Sequence, residues 1–244
     1  MIDGMRKNPY DDRYKAVFAA GALHWNDPRP NAGLLRVVSQ LDPGSECIEF
    51  GCGEGYQAYL VSSLGHSVTA IDLSPTAIDK ARRKAPLDSR VRFSVGDVTD
   101  PSSLKLSDSN YDLAVDIGCL HMIVNDEDRA RYLSLVCRVL KIGGKLFLQD
   151  GLELDDVVPR SDDDARRLAE AKMAQKGSPG VPMPRTIITA EGPKEILFPL
   201  ISAKMLSLDG YVSELERAGL TIISSARTEG VNCSYEAVIV AERR

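Results

Sequence analysis

Between residues 46 and 149, short apolar runs alternate with segments of helical spacing, and this rhythm constrains the fold more than any other feature of the chain. The runs are Glu46–Phe50, Ser67–Asp72, Val91–Val95, Tyr111–Asp116 and Lys145–Gln149. Helices are expected between them, over 56–64, from Pro75 to about Lys84, and from Asn125 to a stop at Gly143-Gly144. Ser74 is a cap followed by proline at the first helical position. Asn125 precedes a first turn of Asp126-Glu127-Asp128, whose carboxylates suit the positive end of a helix. Strand–helix alternation of this kind makes a parallel sheet with helices on both faces, a doubly wound α/β fold. Its ligands lie at the carboxyl ends of the strands, near the reversal of strand order. The loops that start at Gly51, Asp72, Asp97, Asp116 and Asp150 are therefore expected to line one cleft.

The flanks obey other rules. Residues 1–44 read as an N-terminal helical arm, with Tyr14, Val17 and Phe18 on one helical face. After Pro28 and Pro30 come Leu34, Leu35, Val38 and Leu41 on another. Residues 45–150 form the core just described. Over 151–205 the rhythm breaks. An acidic-then-basic stretch (Asp162-Asp163-Asp164, Arg166-Arg167) is followed by Pro179, Pro182, Pro184 and Pro193. A segment of this length inside a compact domain reads as a functional lid or a disordered insertion, here a helical or irregular cap after the fifth strand. Met173, Met183, Ile187, Ile188, Leu197 and Phe198 either line an apolar pocket in it or pack a lid or a dimer. Residues 206–244 hold a helix capped by Ser207 and two strands, roughly 220–228 and 235–242, close enough to pair antiparallel around Asn232-Cys233-Ser234. The 244 residues suffice for one domain.

The loop Glu49-Phe50-Gly51-Cys52-Gly53-Glu54-Gly55 carries the first functional signal. Glycine lets the backbone turn tightly and approach a ligand closely. Asp72 stands 21 residues after Gly51, at the end of the next strand, where a carboxylate can accept both hydroxyls of a ribose. The spacing is G-x-G-x-G, not the G-x-G-x-x-G of a dinucleotide site. Glu49 would repel a pyrophosphate and attract an amino group. The ligand expected from these residues has a ribose, no phosphate and a positive charge.

Residues 46–150 resemble the class I S-adenosylmethionine-dependent methyltransferases. I-E-F-G-C-G-E-G (48–55) is similar to that family's first motif and I-D-L-S-P (71–75) to its ribose-binding strand end. V-G-D-V (95–98) is similar to its adenine-contacting motif, Y-D-L-A-V-D-I-G-C-L-H (111–121) to its fourth, and R-V-L-K-I-G-G-K-L-F-L (138–148) to the helix-and-strand signature after it. The resemblance implies a Rossmann-like seven-stranded sheet, mostly parallel, with one antiparallel C-terminal strand. It implies S-adenosylmethionine as cofactor and S-adenosylhomocysteine as product. Glu49 and the backbone of Gly51, Gly53 and Gly55 would hold the methionine portion, with Cys52 an indifferent small residue among them. Asp72 would hold the ribose and Leu73 pack on the adenine. Asp97 would accept the adenine amino group, Val98 offer its backbone, and Asp116 sit near the amino-acid end. Trp25 either closes over the cofactor or is a structural tryptophan.

Methyl transfer from a sulfonium is an in-line displacement, so a protein chiefly positions the partners, with a base where the nucleophile carries a proton. His121 and Asp150 are the candidates. A helix-start histidine bonded to backbone is the other reading of His121, and a strand-end carboxylate bonded to amides is that of Asp150. No N-P-P-Y motif follows the fourth strand, which removes the commonest marker of methylation on planar amides and DNA bases. Thirty Lys and Arg against 35 Asp and Glu, a net charge of −5, disfavour a nucleic-acid partner. No apolar run is long enough for a bilayer and no leader pattern opens the chain, so a cytoplasmic protein without a membrane partner is expected. The five cysteines form no C-x-x-C and the three histidines no metal box, so neither metal nor disulfide is expected. The reading is a monomeric or homodimeric methyltransferase acting on O, N or S of a small metabolite. A protein or RNA methyltransferase and a silent cofactor-binding subunit are the alternatives.

Overall fold

The computed structural model describes residues 8–154, 159, 162, 165–166, 168–169, 182–199, 201–229 and 235–244. The alternation becomes strands β2 (Glu46–Phe50), β3 (Ser67–Asp72), β4 (Val91–Val95), β5 (Tyr111–Ile117) and β6 (Leu140–Gly151). They are linked by helices α3 (Tyr56–Ser63), α4 (Pro75–Arg83) and α5 (Asp126–Val139). After α6 (Leu208–Arg217) the chain closes with β9 (Leu220–Glu229) and β10 (Tyr235–Arg243). The sheet order is β4-β3-β2-β5-β6-β10-β9. β10 runs antiparallel to both of its neighbours, and the other pairs are parallel. The doubly wound seven-stranded sheet with one antiparallel C-terminal strand is thus observed. Strand order reverses between β2 and β5, which puts the expected crevice over their carboxyl ends.

Alternation along each strand divides the core in two. Ile48, Phe50, Ala114, Leu146 and Leu148 pack with Tyr132 and Val136 of α5 and Tyr211 and Leu215 of α6. Cys47, Leu113, Val115 and Phe147 face the other way, onto Leu34 and Val38 of α2 (Ala32–Val38), Ala58 and Val61 of α3, and Ile78 of α4. Ser74 caps α4 through the Ala77 N–H, and Asn125 caps α5 through the Glu127 and Asp128 N–H groups.

Three expectations change. The N-terminal arm is not helical throughout: α1 (Pro9–Ala19) ends at Gly21, whose φ is +93°, and Ala22–His24 form strand β1. The cap is helical at its described residues 162, 165–166 and 168–169, but over 182–199 it is neither helical nor irregular. Strands β7 (Pro182–Thr189) and β8 (Gly192–Pro199) make an antiparallel hairpin, and β1 pairs with β7. Four prolines fit because Pro193 and Pro199 lie on edge strand β8, while Pro182 and Pro184 precede the short stretch of β7 that β1 reaches. Lastly, α5 stops at Val139 and β6 begins at Leu140, with Gly143 turning inside the strand at φ +78°.

In the cap, Ile187 and Phe198 are buried with Val17 and Ala22 and packed by Trp25, so they hold the hairpin onto the arm. Ile188 and Leu197 are exposed. Met173, the Met183 side chain, the 163–164 and Arg167 part of the charged stretch, Pro179 and the turn at Asn232–Ser234 lie outside the described residues. Among the described residues no helix is long and apolar enough to cross a membrane.

Candidate active site

The loop after β2 is shaped by contacts that a side chain would forbid. Gly51, Gly53 and Gly55 all have positive φ, at +66°, +53° and +76°. A Cβ on Gly51 would lie 2.8 Å from the Cβ of Cys119, so the loops after β2 and β5 touch here. One on Gly53 would lie 2.3 Å from Asn26 Oδ1. The Gly53 N–H donates to Asp72 Oδ2 at 2.8 Å, and the Gly55 N–H to the Cys52 carbonyl. Gly53 and Gly55 therefore serve the loop's own packing, and only Gly51 of the three opens on the cavities described next.

A cavity of about 680 Å³ lies over the ends of β3, β4 and β5. Gly51, Asp72, Leu73, Asp97, Val98, His121 and Trp25 all line it. Asp72 is 8% exposed, and Ser74 N–H donates to its Oδ1 at 2.8 Å. Burial raises its pKa, while the Ser74 and Gly53 amides pull it back down. Those two bonds orient the carboxylate and leave further lone pairs for a ligand. Asp97 is turned by Thr99, whose N–H and Oγ1–H both donate to its Oδ1.

A second cavity of about 810 Å³ shares Asn26, Gly51 and Ile117 with the first and extends towards Asn31, Gln149 and Glu236. Cys52 and Glu49 line this one. Glu49 sits on the α2–α3 face of the sheet, 5% exposed, and its Oε2 is buried without a hydrogen-bond partner. Burial lifts its pKa to about 8; the Ala58 amide opposes the rise, and the Asp72 and Asp116 charges add to it. An orphaned buried carboxyl oxygen beside a polar cavity invites a cation or a hydrogen-bond donor.

Asp116 lies elsewhere. The two-residue period turns it to the α5 face with Ala114, where it is wholly buried and lines neither cavity. Its oxygens accept from the Cys119 and Leu120 N–H groups and from the Tyr132 hydroxyl, at 2.7 Å for the last. It holds the turn at Leu120–Met122 that carries His121.

His121 and Asp150 meet across β5 and β6. His121 Nδ1 is 2.6 Å from Asp150 Oδ1, and the His121 backbone N–H donates to Oδ2 at 3.1 Å. Burial lowers the imidazole pKa, but the charge and hydrogen bond of Asp150 outweigh it, and the net shift is upward. With Nδ1–H given to Asp150, the neutral ring keeps its lone pair at Nε2.

Sequence reasoning missed the residues that join the arm to this site. Glu54, fully buried, accepts the Trp25 and Asn26 N–H groups and pairs with Lys84 at 3.0 Å. Asp11 accepts from Ser74 Oγ and the Thr76 N–H, and Asn8 donates to the Leu73 carbonyl. Burial works against the Asp11 charge, yet bonds from Lys15, Ser74 and Thr76 hold its carboxyl well below the usual range. The acid-then-Ser-Pro pairing had no local signature, since it joins α1 to α4 through space. Among the described residues no group of three or more His, Cys, Asp or Glu is placed to share a metal ion.

Residues 47–144 match the family described as Methyltransferase domain. A methyltransferase of Schizosaccharomyces pombe whose role is given as uncharacterized is 31% identical over 103 residues, covering 42% of this chain and 68% of that protein. The ubiquinone biosynthesis O-methyltransferase of Alkalilimnicola ehrlichii is 29% identical over 156 residues, covering 59% of this chain. The chain spans only 61% of that relative's length. In shape, it is similar to the crystal structure of a SAM-dependent methyltransferase from Methanosarcina mazei, with a TM-score of 0.60 at 22% identity, covering 85% of this chain and 96% of that one.

Proposed function

This chain belongs to the class I S-adenosylmethionine-dependent methyltransferases, and from that premise we propose that it transfers a methyl group to an oxygen, nitrogen or sulfur of a small metabolite. The observation that carries the reading is the convergence of Asp72, Asp97 and His121 on one cavity that opens, past Gly51, towards the unpartnered oxygen of Glu49. The donor set suits the cofactor. Carboxylates at Asp72 and Asp97 accept hydroxyls and an exocyclic amine, Leu73 and Val98 offer apolar walls, and Glu49 accepts an ammonium. When bound, the cofactor supplies a methyl group already activated on a sulfonium.

The chain's own residues then position and deprotonate. Asp72 orients the nucleoside, its carboxylate held in advance by two amides, so little ordering remains when ligand binds. His121 Nε2 takes the proton of the acceptor while Asp150 stabilises the imidazolium that forms, a contribution of typically 10²–10⁴-fold. The relative named for ubiquinone biosynthesis supports an oxygen nucleophile on a small molecule as the first to try. A cytoplasmic setting is part of the same proposal.

The test is label transfer. The pure protein is incubated with methyl-labelled S-adenosylmethionine and a fractionated cell extract. Label in the small-molecule fraction supports the reading, and label on protein or RNA overturns the substrate class. Saturable cofactor binding with no label anywhere would make the chain a silent binding subunit. In parallel, Asp72→Ala should weaken cofactor binding by roughly 2–4 kcal/mol, since it removes charge-assisted bonds to buried hydroxyls. Unchanged affinity would sink the site assignment.

A further inference from the structure

Nucleoside, ammonium and proton acceptor account for Asp72, Glu49 and His121 but leave a half-buried cation of the same cavity without a task. Arg13, on α1, lines the 680 Å³ cavity beside Tyr10 and Trp25. Its guanidinium carbon lies 5.3 Å from the Trp25 ring centroid and 5.1 Å from that of Phe198. Those two rings are themselves stacked, 5.2 Å apart and 29° from parallel. Arg13 Nε is buried with no hydrogen-bond partner. The charged group felt most at Arg13 is Arg185 of β7, a like charge, and the other neighbours felt there are the phenols of Tyr14 and Tyr10.

A guanidinium carries five N–H donors, and ring faces attract its charge without accepting them in its plane. Arg129 shows how this fold treats a buried arginine that is only structural. It is 0% exposed, and its nitrogens meet both oxygens of Glu214 and the carbonyls of Leu120 and Ile123. Arg13 has no such set among the described residues, and Arg185 adds to the positive potential. A pocket wall of Trp25, Tyr10 and a guanidinium whose Nε is buried without a partner suits a planar or apolar body that ends in an oxyanion.

Resting on the proposed methyl transfer, we infer that Arg13 is the receptor for an anionic group of the acceptor, a carboxylate on an aromatic or apolar acid, with Trp25 as the wall for its body. S-adenosylmethionine also carries a carboxylate, so the test separates the two sources.

Trp25 is the sole tryptophan of the chain, and its fluorescence reports on this wall directly. The probes are benzoate and its neutral isostere benzamide, titrated into the protein saturated with S-adenosylhomocysteine. Benzoate should change the fluorescence saturably, with benzamide at least about ten-fold weaker. Arg13→Gln should weaken benzoate by about ten-fold or more, and Arg185→Gln by a few-fold, while S-adenosylhomocysteine affinity stays within about two-fold. Retained cofactor affinity also shows that the variants fold. Equal response to benzoate and benzamide, or none to either, overturns the inference. So does an Arg13→Gln variant that loses S-adenosylhomocysteine in step with benzoate, because the anion would then be the cofactor's. Failure of the nucleoside reading registers separately, as no saturable S-adenosylhomocysteine binding by the wild type. The benzoate–benzamide contrast, repeated without it, then decides the receptor alone.

Discussion

The Glu54 carboxylate accepts the backbone N–H of Trp25 at 2.6 Å, and the same oxygen accepts that of Asn26 at 2.9 Å. A residue inside the glycine loop thereby fastens the N-terminal arm over the cavity, with Lys84 on its other oxygen. Glu54→Gln keeps the shape and removes the charge. It should cost about 1–3 kcal/mol in urea unfolding, less than a fully buried pair because Lys84 is partly exposed. Cofactor affinity should fall with it, since Trp25 and Asn26 line the site. Unaltered stability would mean that the Glu54 charge contributes nothing and that the arm is held by its other contacts, the Asp11 and Asn8 bonds and apolar packing.

Gly51→Ala combines two costs. Its φ is +66°, and the new Cβ would lie 2.8 Å from Cys119 Cβ and 2.9 Å from Sγ. A loss of about 1–3 kcal/mol is expected. Adding Cys119→Gly should restore part of it, because the clash goes and the strain in φ stays. A double variant no more stable than Gly51→Ala would show that the clash contributes nothing.

Arg129 binds Glu214 through two bonds of 2.7 and 2.6 Å and also holds the carbonyls at Leu120 and Ile123, which bracket His121. Glu214→Gln leaves that cation buried and half-paired, at a cost of about 3–5 kcal/mol. Thermal unfolding measures it; a shift of under a degree would contradict the pairing.

His121→Asn and Asp150→Asn should each lower turnover by roughly 10²–10⁴-fold if the acceptor loses a proton. Cofactor affinity should hold for both, which separates a proton-transfer role from a collapse of the cavity. Equal turnover in wild type and variants would leave His121 as the backbone-anchored turn residue that its bond to Asp150 also permits.

Glu49 sets a pH dependence. Its folded pKa of about 8 lies above the ordinary carboxylate value, because burial disfavours the charge. Between those two pH values the folded chain holds a proton that the unfolded chain has lost, so rising pH favours unfolding. Stability of the ligand-free protein should therefore fall from about pH 5 to about pH 8. Asp72, Asp116 and His121 have raised values too and act in the same direction. Glu49→Gln isolates the one group: its melting temperature should fall less over that range than the wild type's. Parallel curves would refute the buried-carboxyl reading.

Much of this was legible along the chain, and for a physical reason. Strand alternation, the Ser74 and Asn125 caps and the placement of Asp72 and Asp97 at strand ends are short-range patterns, written in a period of two residues or in the first turn of a helix. Tyr132 over Asp116 was not legible, because the strand period assigns a face only once the sheet's two sides are known. Nor was the spending of the Gly53 amide on Asp72, which depends on how two loops meet.

The sequence by itself determined the doubly wound order of elements and which carboxylates end the strands, since hydrophobic period and capping chemistry act over a few neighbouring residues. Only the tertiary structure decided that Ala22–His24 would be a strand, that the proline-rich cap would be its hairpin partner, and that Arg13 would stand against Trp25 and Phe198 with its Nε unpartnered among the described residues. Those contacts join segments far apart in the chain. Their free energy comes from apolar surface and backbone groups that meet only after folding, and it leaves no local mark by which a sequence can announce it.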